Sequence, residues 1–232
     1  MLKTRIFFGI FSCFLLSSIA FAQPNEQNDK TSQESGNGKS FEGSIRFVQI
    51  TLNDTNYYTY HIKGRKVRLD VHENCNGCKG IENCMLFDLD KKTIIAVNPS
   101  RKLYINVSPK PFSGKSTQDY QIIKSNNTKK IQGYKCYQWR VKNKSENTEI
   151  AFWVADDNFL FFEDFLQLWN RSEKHAIYFL QIPDTKGFFP MISVERTTLR
   201  EQKMKLEVIE ILKKPVDNSL FDIPKDYQSY DH

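Results

Sequence analysis

The residues with the types and spacing for chemistry beyond packing are Cys75, Cys78 and Cys84, with His72 just ahead of them. Cys75 and Cys78 form a C-x-x-C in the Gly/Asn-rich run CNGCKGIENC. Of the two further cysteines, Cys13 lies in the N-terminal apolar run, which leaves four outside it, and Cys136 stands apart in IQGYKCYQWRV, residues 131–141. Three chemistries fit this pattern. The expected one is a disulfide framework, with a bridge from the loop to Cys136 tying distant parts of the chain together. A bridge closing a long loop contributes about 2–4 kcal/mol. Four cysteines allow three connectivities, and spacing does not choose among them. The alternative is a metal site. His72, Cys75, Cys78 and Cys84 offer a nitrogen and sulfur set, and Asn76-Gly77 permits the tight turn of a C-x-x-C knuckle. A second C-x-x-C is missing. A redox pair is the third chemistry, but it needs a helix N-terminus to lower the thiol pKa. Here the motif follows a strand and no helical run comes after it.

The other titratable residues are scattered. His61, His72, His175 and His232 have no adjacent nucleophile and acid in a recognisable pattern. Asp156-Asp157 and Glu163-Asp164 look like paired carboxylates, but they suit the start of a helix, where acids complement the dipole. There is no HExxH, no GxSxG and no phosphate-cradling glycine loop. No catalytic residue and no cofactor is therefore expected, and the chain reads as a non-enzyme.

The elements that must position these residues follow from hydrophobic pattern. Lys3 and Arg5 precede the apolar run Ile6 to Leu16, and Ala20-Phe21-Ala22 supplies an A-x-A site. This is the layout of a secretory signal over residues 1–22, too short to span a bilayer and removed on export. The expected location is periplasmic or secreted, with no transmembrane segment after cleavage. The whole chain has 33 basic and 27 acidic residues, for a net charge of +6. Losing Lys3 and Arg5 leaves 31 against 27, or +4. That excess is spread along the chain rather than gathered into a basic block with interleaved aromatics, which excludes nucleic acid as an expected partner. An exported chain with an even cysteine set is a disulfide candidate. Residues 23–40, QPNEQNDKTSQESGNGKS, lack any aliphatic or aromatic side chain and are expected to form a disordered leader.

From Phe41 onward the pattern is mostly of period two. FEGSIRFVQITL, YYTYHIKG and KVRLDVHE read as three strands. In the third, Val67, Leu69 and Val71 alternate with Arg68, Asp70 and His72, the mark of an antiparallel strand with one covered face. MLFDLD, TIIAVN and KLYINV continue the meander through turns at Asp90-Lys91-Lys92 and Asn98-Pro99-Ser100-Arg101. TQDYQIIK is open between helix and strand. KKIQGYKCYQWRVKN, entered by a tight turn at Gly133 and taken as a central strand, pairs with TEIAFWVAD. Then the period changes. Phe162, Phe165, Leu166 and Trp169 stand at i, i+3, i+4 and i+7, one apolar stripe of a helix, with Asp156, Asp157 or Asn158 as its cap. HAIYFLQI is open between helix and strand. KGFFPMISVERTT and KMKLEVIEILKK form a last hairpin before the tail VDNSLFDIPKDYQ. The expected fold is mainly β in one domain over residues 41–229.

Several of these phrases occur together in one group of proteins: YHIKGRKVRLD, LFDLDKKTIIAVNPSRKLYINV, KKIQGYKCYQWRV, EIAFWVADD and NSLFDIPKDYQ. Over Phe41 to Tyr227 the chain resembles the exported bacterial proteins classed as domain of unknown function 4412, a group related to outer-membrane lipoprotein-sorting, LolA-like carriers. The resemblance implies a strongly curved antiparallel sheet, an incomplete barrel, with one or two helices against its concave face. It further implies a lipid or lipid-modified partner held in an apolar cavity between sheet and helix. On that basis Phe162, Phe165, Leu166, Trp169, Phe188 and Phe189 are the candidates for lining a cavity, with Phe188-Phe189-Pro190 as a movable lid. The alternative is that the same aromatics simply fill a packed core, leaving a structural or interaction module. The cysteine loop has no counterpart in the carrier pattern, and no carrier motif transfers residue by residue. Oligomeric state is not legible.

Overall fold

The computed structural model describes residues 40–72, 80–110, 112–113, 119–170 and 173–230. The expected signal segment and nearly all of the expected leader lie outside these residues, as do Cys75, Cys78 and His232. The described chain is one twelve-stranded sheet with two helices.

The strands are β1 (Gly43–Thr51), β2 (Thr55–Lys63), β3 (Lys66–His72), β4 (Ile81–Asp88), β5 (Thr93–Asn98) and β6 (Leu103–Val107). After them come β7 (Gln121–Ile131), β8 (Tyr134–Asn143), β9 (Thr148–Asp156), β10 (Phe188–Thr197), β11 (Gln202–Leu212) and the two-residue β12 (Gln228–Ser229). Their order across the sheet is β12-β6-β5-β4-β3-β2-β1-β11-β10-β9-β8-β7. Every pairing is antiparallel except β12 with β6. The sheet is strongly curved and open, with β12 and β7 as its free edges.

The meander is as the alternation predicts, because each hairpin carries its own turn chemistry. Gly64 has φ of 57°, and Gln132-Gly133 turn with φ of 49° and 85°. The long-range closure of β1 onto β11 depends on Gly43. A Cβ there would lie 2.2 Å from the Leu212 carbonyl oxygen, so only glycine lets the two backbones approach.

Three expectations are corrected. The GYKC strand β8 lies one place in from the sheet edge rather than centrally. The helix α1 (Phe161–Trp169) has Leu160 as its N-cap with no side-chain cap, because the chain has already turned at Asn158, φ 55°. Phe188, Phe189 and Pro190 form the first residues of β10, paired with Asp156, Ala155 and Val154 of β9, so that segment is a strand and not a lid. The two open segments also resolve. TQDYQIIK leads into β7, which continues past it to Ile131. HAIYFLQI forms most of a second helix, α2 (Lys174–Gln181).

The core is built between the helices and the concave side of the sheet. Register places Ile62, Val67, Phe87, Ile94 and Val107 in one row across β2 to β6. Phe87 meets Phe165 and Trp169 of α1 edge to face, with ring centroids 4.8 and 4.9 Å apart. Phe162 bridges Phe179 of α2 and Phe189 of β10 at 5.2 and 4.6 Å. Aromatic pairs of this geometry add about 0.5–1.5 kcal/mol each beyond their buried area. The opposite face of β3 to β6 is covered by the tail. Ile223 and Tyr227 pack on Cys84, Leu86 and Val97, and the Arg68 guanidinium donates to the Leu220 carbonyl at 3.0 Å.

Candidate functional site

The row next to the one covered by α1 consists of Tyr60, Leu69, Met85, Ala96 and Ile105. Beyond it lie Tyr58, Val71 and Asn83, with Asn98 paired to Leu103. Burial falls along these rows. Tyr60 and Leu69 are covered, with Tyr60 edge-on to Phe165 at 5.2 Å. Met85 and Ala96 are half-buried, and Ile105 is 38% exposed. The helix is nine residues long and reaches only one end of strands β4 to β6. The other end of the concave face is left as a mainly apolar groove of about 310 Å³.

Val71, Met85, Ala96, Leu103 and Ile105 form its floor, and Tyr230, just past β12, forms one wall. Tyr230 is placed there by backbone pairing: its N–H donates to the Tyr104 carbonyl at 2.8 Å. Asn83, Asn98 and Arg101 gather the polar groups at the mouth, where Asn98 Nδ2 donates to Asn83 Oδ1 at 3.0 Å. A smaller hollow of about 120 Å³ continues along the same two strands past Ile94, Val107 and Trp169. A site of this size falls at the lower end of the range for small-molecule pockets, about 300–1,000 Å³.

The residues singled out from the aromatic stripe stand elsewhere. Phe162, Phe165, Leu166 and Phe189 are buried in the core, and Phe188 is half-buried against Trp139. The hollow that Phe162 and Phe189 share with Phe47 and Tyr60 measures about 50 Å³. One water occupies about 30 Å³ of liquid, so a hydrocarbon chain has no room there without rearrangement. Of the six, Trp169 borders the small hollow beside Ile94. Sequence reading missed the groove because its residues, such as Ala96 and Ile105, are ordinary members of alternating strands. The one available signal was the mismatch between long apolar strand faces and a single short helix to cover them.

The other face of the sheet carries the polar residues of the same alternation. Register aligns Thr59, Asp70, Cys84, Val97 and Tyr104 across β2 to β6. Asp70 accepts from Arg68 Nε at 2.6 Å and pairs with His61 Nε2 at 3.1 Å. Thr59 Oγ1 stands 2.7 Å from His72 Nε2. Burial tends to raise the Asp70 pKa, but the hydrogen bond to His61 and the charge and hydrogen bond of Arg68 outweigh it and hold the carboxyl below its ordinary range. Burial of His72, more than its charged neighbours, lowers its pKa. Asp70 is thus engaged by His61 and Arg68, and His72 by Thr59. Among the described residues no three His, Cys, Asp or Glu side chains are placed to share a metal ion.

Cys84 and Cys136 are buried free thiols, where the sequence pattern leads to an expectation of bridges. They belong to separate apolar clusters, and β4 and β8 are far apart in the order of the sheet. Burial pushes the Cys84 thiol up to about 11 and raises that of Cys136 as well, so neither is a thiolate near neutrality. Their expected partners Cys75 and Cys78 fall outside the described residues, and with them half of the alternative metal set. His175 on α2 is buried, both ring nitrogens lack a hydrogen-bond partner among the described residues, and burial lowers its pKa to about 4.

The family model described as "Domain of unknown function (DUF4412)" matches residues 41–227. No curated protein matches the chain in sequence. Among solved structures, an uncharacterized conserved protein from Thermus thermophilus is 9% identical, with a TM-score of 0.47 over 81% of this chain and 90% of that one. The MucA/MucB complex of Pseudomonas aeruginosa gives 8% identity and a TM-score of 0.45 over 80% of this chain and 56% of that one. A putative outer membrane lipoprotein-sorting protein domain from Vibrio parahaemolyticus gives 9% and 0.33 over 80% and 91%. Likeness at this level concerns general backbone course and transfers no activity.

Proposed function

This chain belongs to the DUF4412 family, and we propose on that premise that it is an exported, non-enzymatic binding protein that holds the hydrocarbon part of a lipid or lipid-modified partner. The observation that carries this reading is the uncovered apolar end of the concave face, the groove over Val71, Met85, Ala96, Leu103 and Ile105. The leader supports export, since residues 1–22 have the three regions of a secretory signal. No helix among the described residues is long and apolar enough to cross a membrane.

Magnitudes favour reversible binding. Each buried methylene contributes about 0.8 kcal/mol, so eight of them supply about 6 kcal/mol. Association costs at least about 4 kcal/mol, so at the low end of that cost about 2 kcal/mol remains, a weak and exchangeable complex. The mainly apolar floor fits recognition by area rather than by shape.

A second reading is favoured by the 50 Å³ hollow at Phe162 and Phe189: the helix-sheet interior is a packed core, and the protein is a structural or interaction module. Binding of dodecanol, an uncharged single-chain probe, separates the two. Ile105→Asp changes a residue already 38% exposed, so the fold tolerates it. The carrier reading expects saturable dodecanol binding by the native protein and its loss in Ile105→Asp. No binding, with no lipid retained in native mass spectra of the exported protein, leaves the module.

A further inference from the structure

Among the described residues that line the groove, one carries a charged side chain, and its position is set by a rigid turn. Asn98 Oδ1 accepts from the Ser100 hydroxyl at 2.8 Å and from the Arg101 backbone N–H at 2.9 Å. The Lys102 N–H donates to the Pro99 carbonyl at 3.3 Å, and Lys102 takes a left-handed φ of 53°. These bonds hold Arg101 at the mouth of the groove, beside Asn98 and Leu103.

The two cations of the turn have different fates. Lys102 is engaged by Asp226 of the tail at 2.8 Å. Arg101 has no ion pair among the described residues. Every other described residue lining the groove is uncharged. The floor therefore runs from a cationic mouth, past Leu103 and Ile105, toward Val107 and the second hollow at Trp169. Leu103 to Val107 spans about 13 Å at the rise of a β-strand. The Arg101 end suits an anion and the floor over Leu103 and Ile105 suits hydrocarbon, while the second hollow offers Ile94, Val107 and Trp169 with Lys110 at its rim.

We propose that this groove binds a free single-chain fatty carboxylate, with the carboxylate on the Arg101 guanidinium and the chain lying along β5 and β6 toward α1. The proposal rests on the groove being the binding site. Guanidinium suits the role because its planar donors can meet both oxygens of a carboxylate. An apolar groove without a charge at its mouth would not tell a fatty acid from a fatty alcohol. Arg101 supplies that distinction.

The test compares dodecanoate with dodecanol, both below the concentration at which they aggregate, on the full chain and on Arg101→Gln and Arg101→Lys. The native protein is expected to bind dodecanoate about tenfold or more tightly than dodecanol, as a charge-assisted hydrogen bond requires. Arg101→Gln is expected to abolish that preference, and Arg101→Lys to retain part of it. Equal binding of the two probes by the native protein, or an unchanged preference in Arg101→Gln, overturns the role of Arg101 and leaves the groove intact as a site. Binding of neither probe removes the groove itself. Adsorption to vesicles containing anionic phospholipid, without binding of free dodecanoate, would mean that Arg101 meets a membrane surface and would also overturn the proposal.

Discussion

His61 and Asp70 meet across β2 and β3 with Nε2 and Oδ2 3.1 Å apart, while Arg68 donates to the other oxygen of the same carboxylate at 2.6 Å. The Asp70 side chain is only 3% exposed, and Arg68 reaches on to the Leu220 carbonyl, so this cluster joins the sheet to the tail strapped over it. Removing one partner of a buried pair leaves an uncompensated charge. Asp70→Ala is expected to lower stability by about 3 kcal/mol in urea unfolding. The double variant Asp70→Ala with Arg68→Met should lose less than the single one, because it leaves no buried guanidinium unpaired.

His175 and Asp70 make stability respond to acid in two separate windows. His175 is neutral in the folded protein, with its pKa lowered from 6.5 to about 4 by burial. Below pH 6.5 the unfolded chain gains a proton that the folded one does not, so stability falls as pH drops from 6.5 toward 4. The full effect is about 3 kcal/mol. His175→Leu should make the profile shallower across that range, leaving the contribution of His72, whose pKa burial also lowers. Asp70 acts lower. Its carboxyl is held below the ordinary 3.8, so its stabilisation is present above that value and is lost as pH falls further.

Phe165 stands among Tyr60, Phe87 and Phe162, and is 1% exposed. Truncation to alanine leaves a cavity in a packed core and should cost about 3–5 kcal/mol by denaturant titration. A folded Phe165→Ala protein of native stability would mean that this side chain faces open space rather than the core.

The two buried thiols should be slow to react. Burial raises both, and Cys84 reaches about 11, which leaves little thiolate at neutral pH. Alkylation without reductant is expected to spare Cys84 and Cys136 in the native protein and to label both once it is denatured. Failure to label either in denaturant would place it in a disulfide with a cysteine of the 73–79 segment.

Much of the fold was legible in the chain because its hairpins are local. Alternation such as Val67, Leu69 and Val71 against Arg68, Asp70 and His72 depends only on neighbours in sequence, and the turns at Gly64 and Gly133 announce themselves by residue type. The stripe Phe162, Phe165, Leu166 and Trp169 likewise predicted α1. What those aromatics face was not local information. Whether a stripe lines a void or fills one depends on the distance to Phe87, Tyr60 and Phe189, which lie elsewhere in the chain.

The sequence by itself determined an antiparallel meander and the aromatic helix, since each follows from periodicity and composition over short stretches. Only the tertiary structure decided that α1 stops short of Leu103 and Ile105, that Arg101 stands at the open end, and that Cys84 and Cys136 lie in different clusters. Those outcomes come from sheet curvature, helix length and strand order, and they arise only when β1 closes onto β11 and the tail crosses to β6.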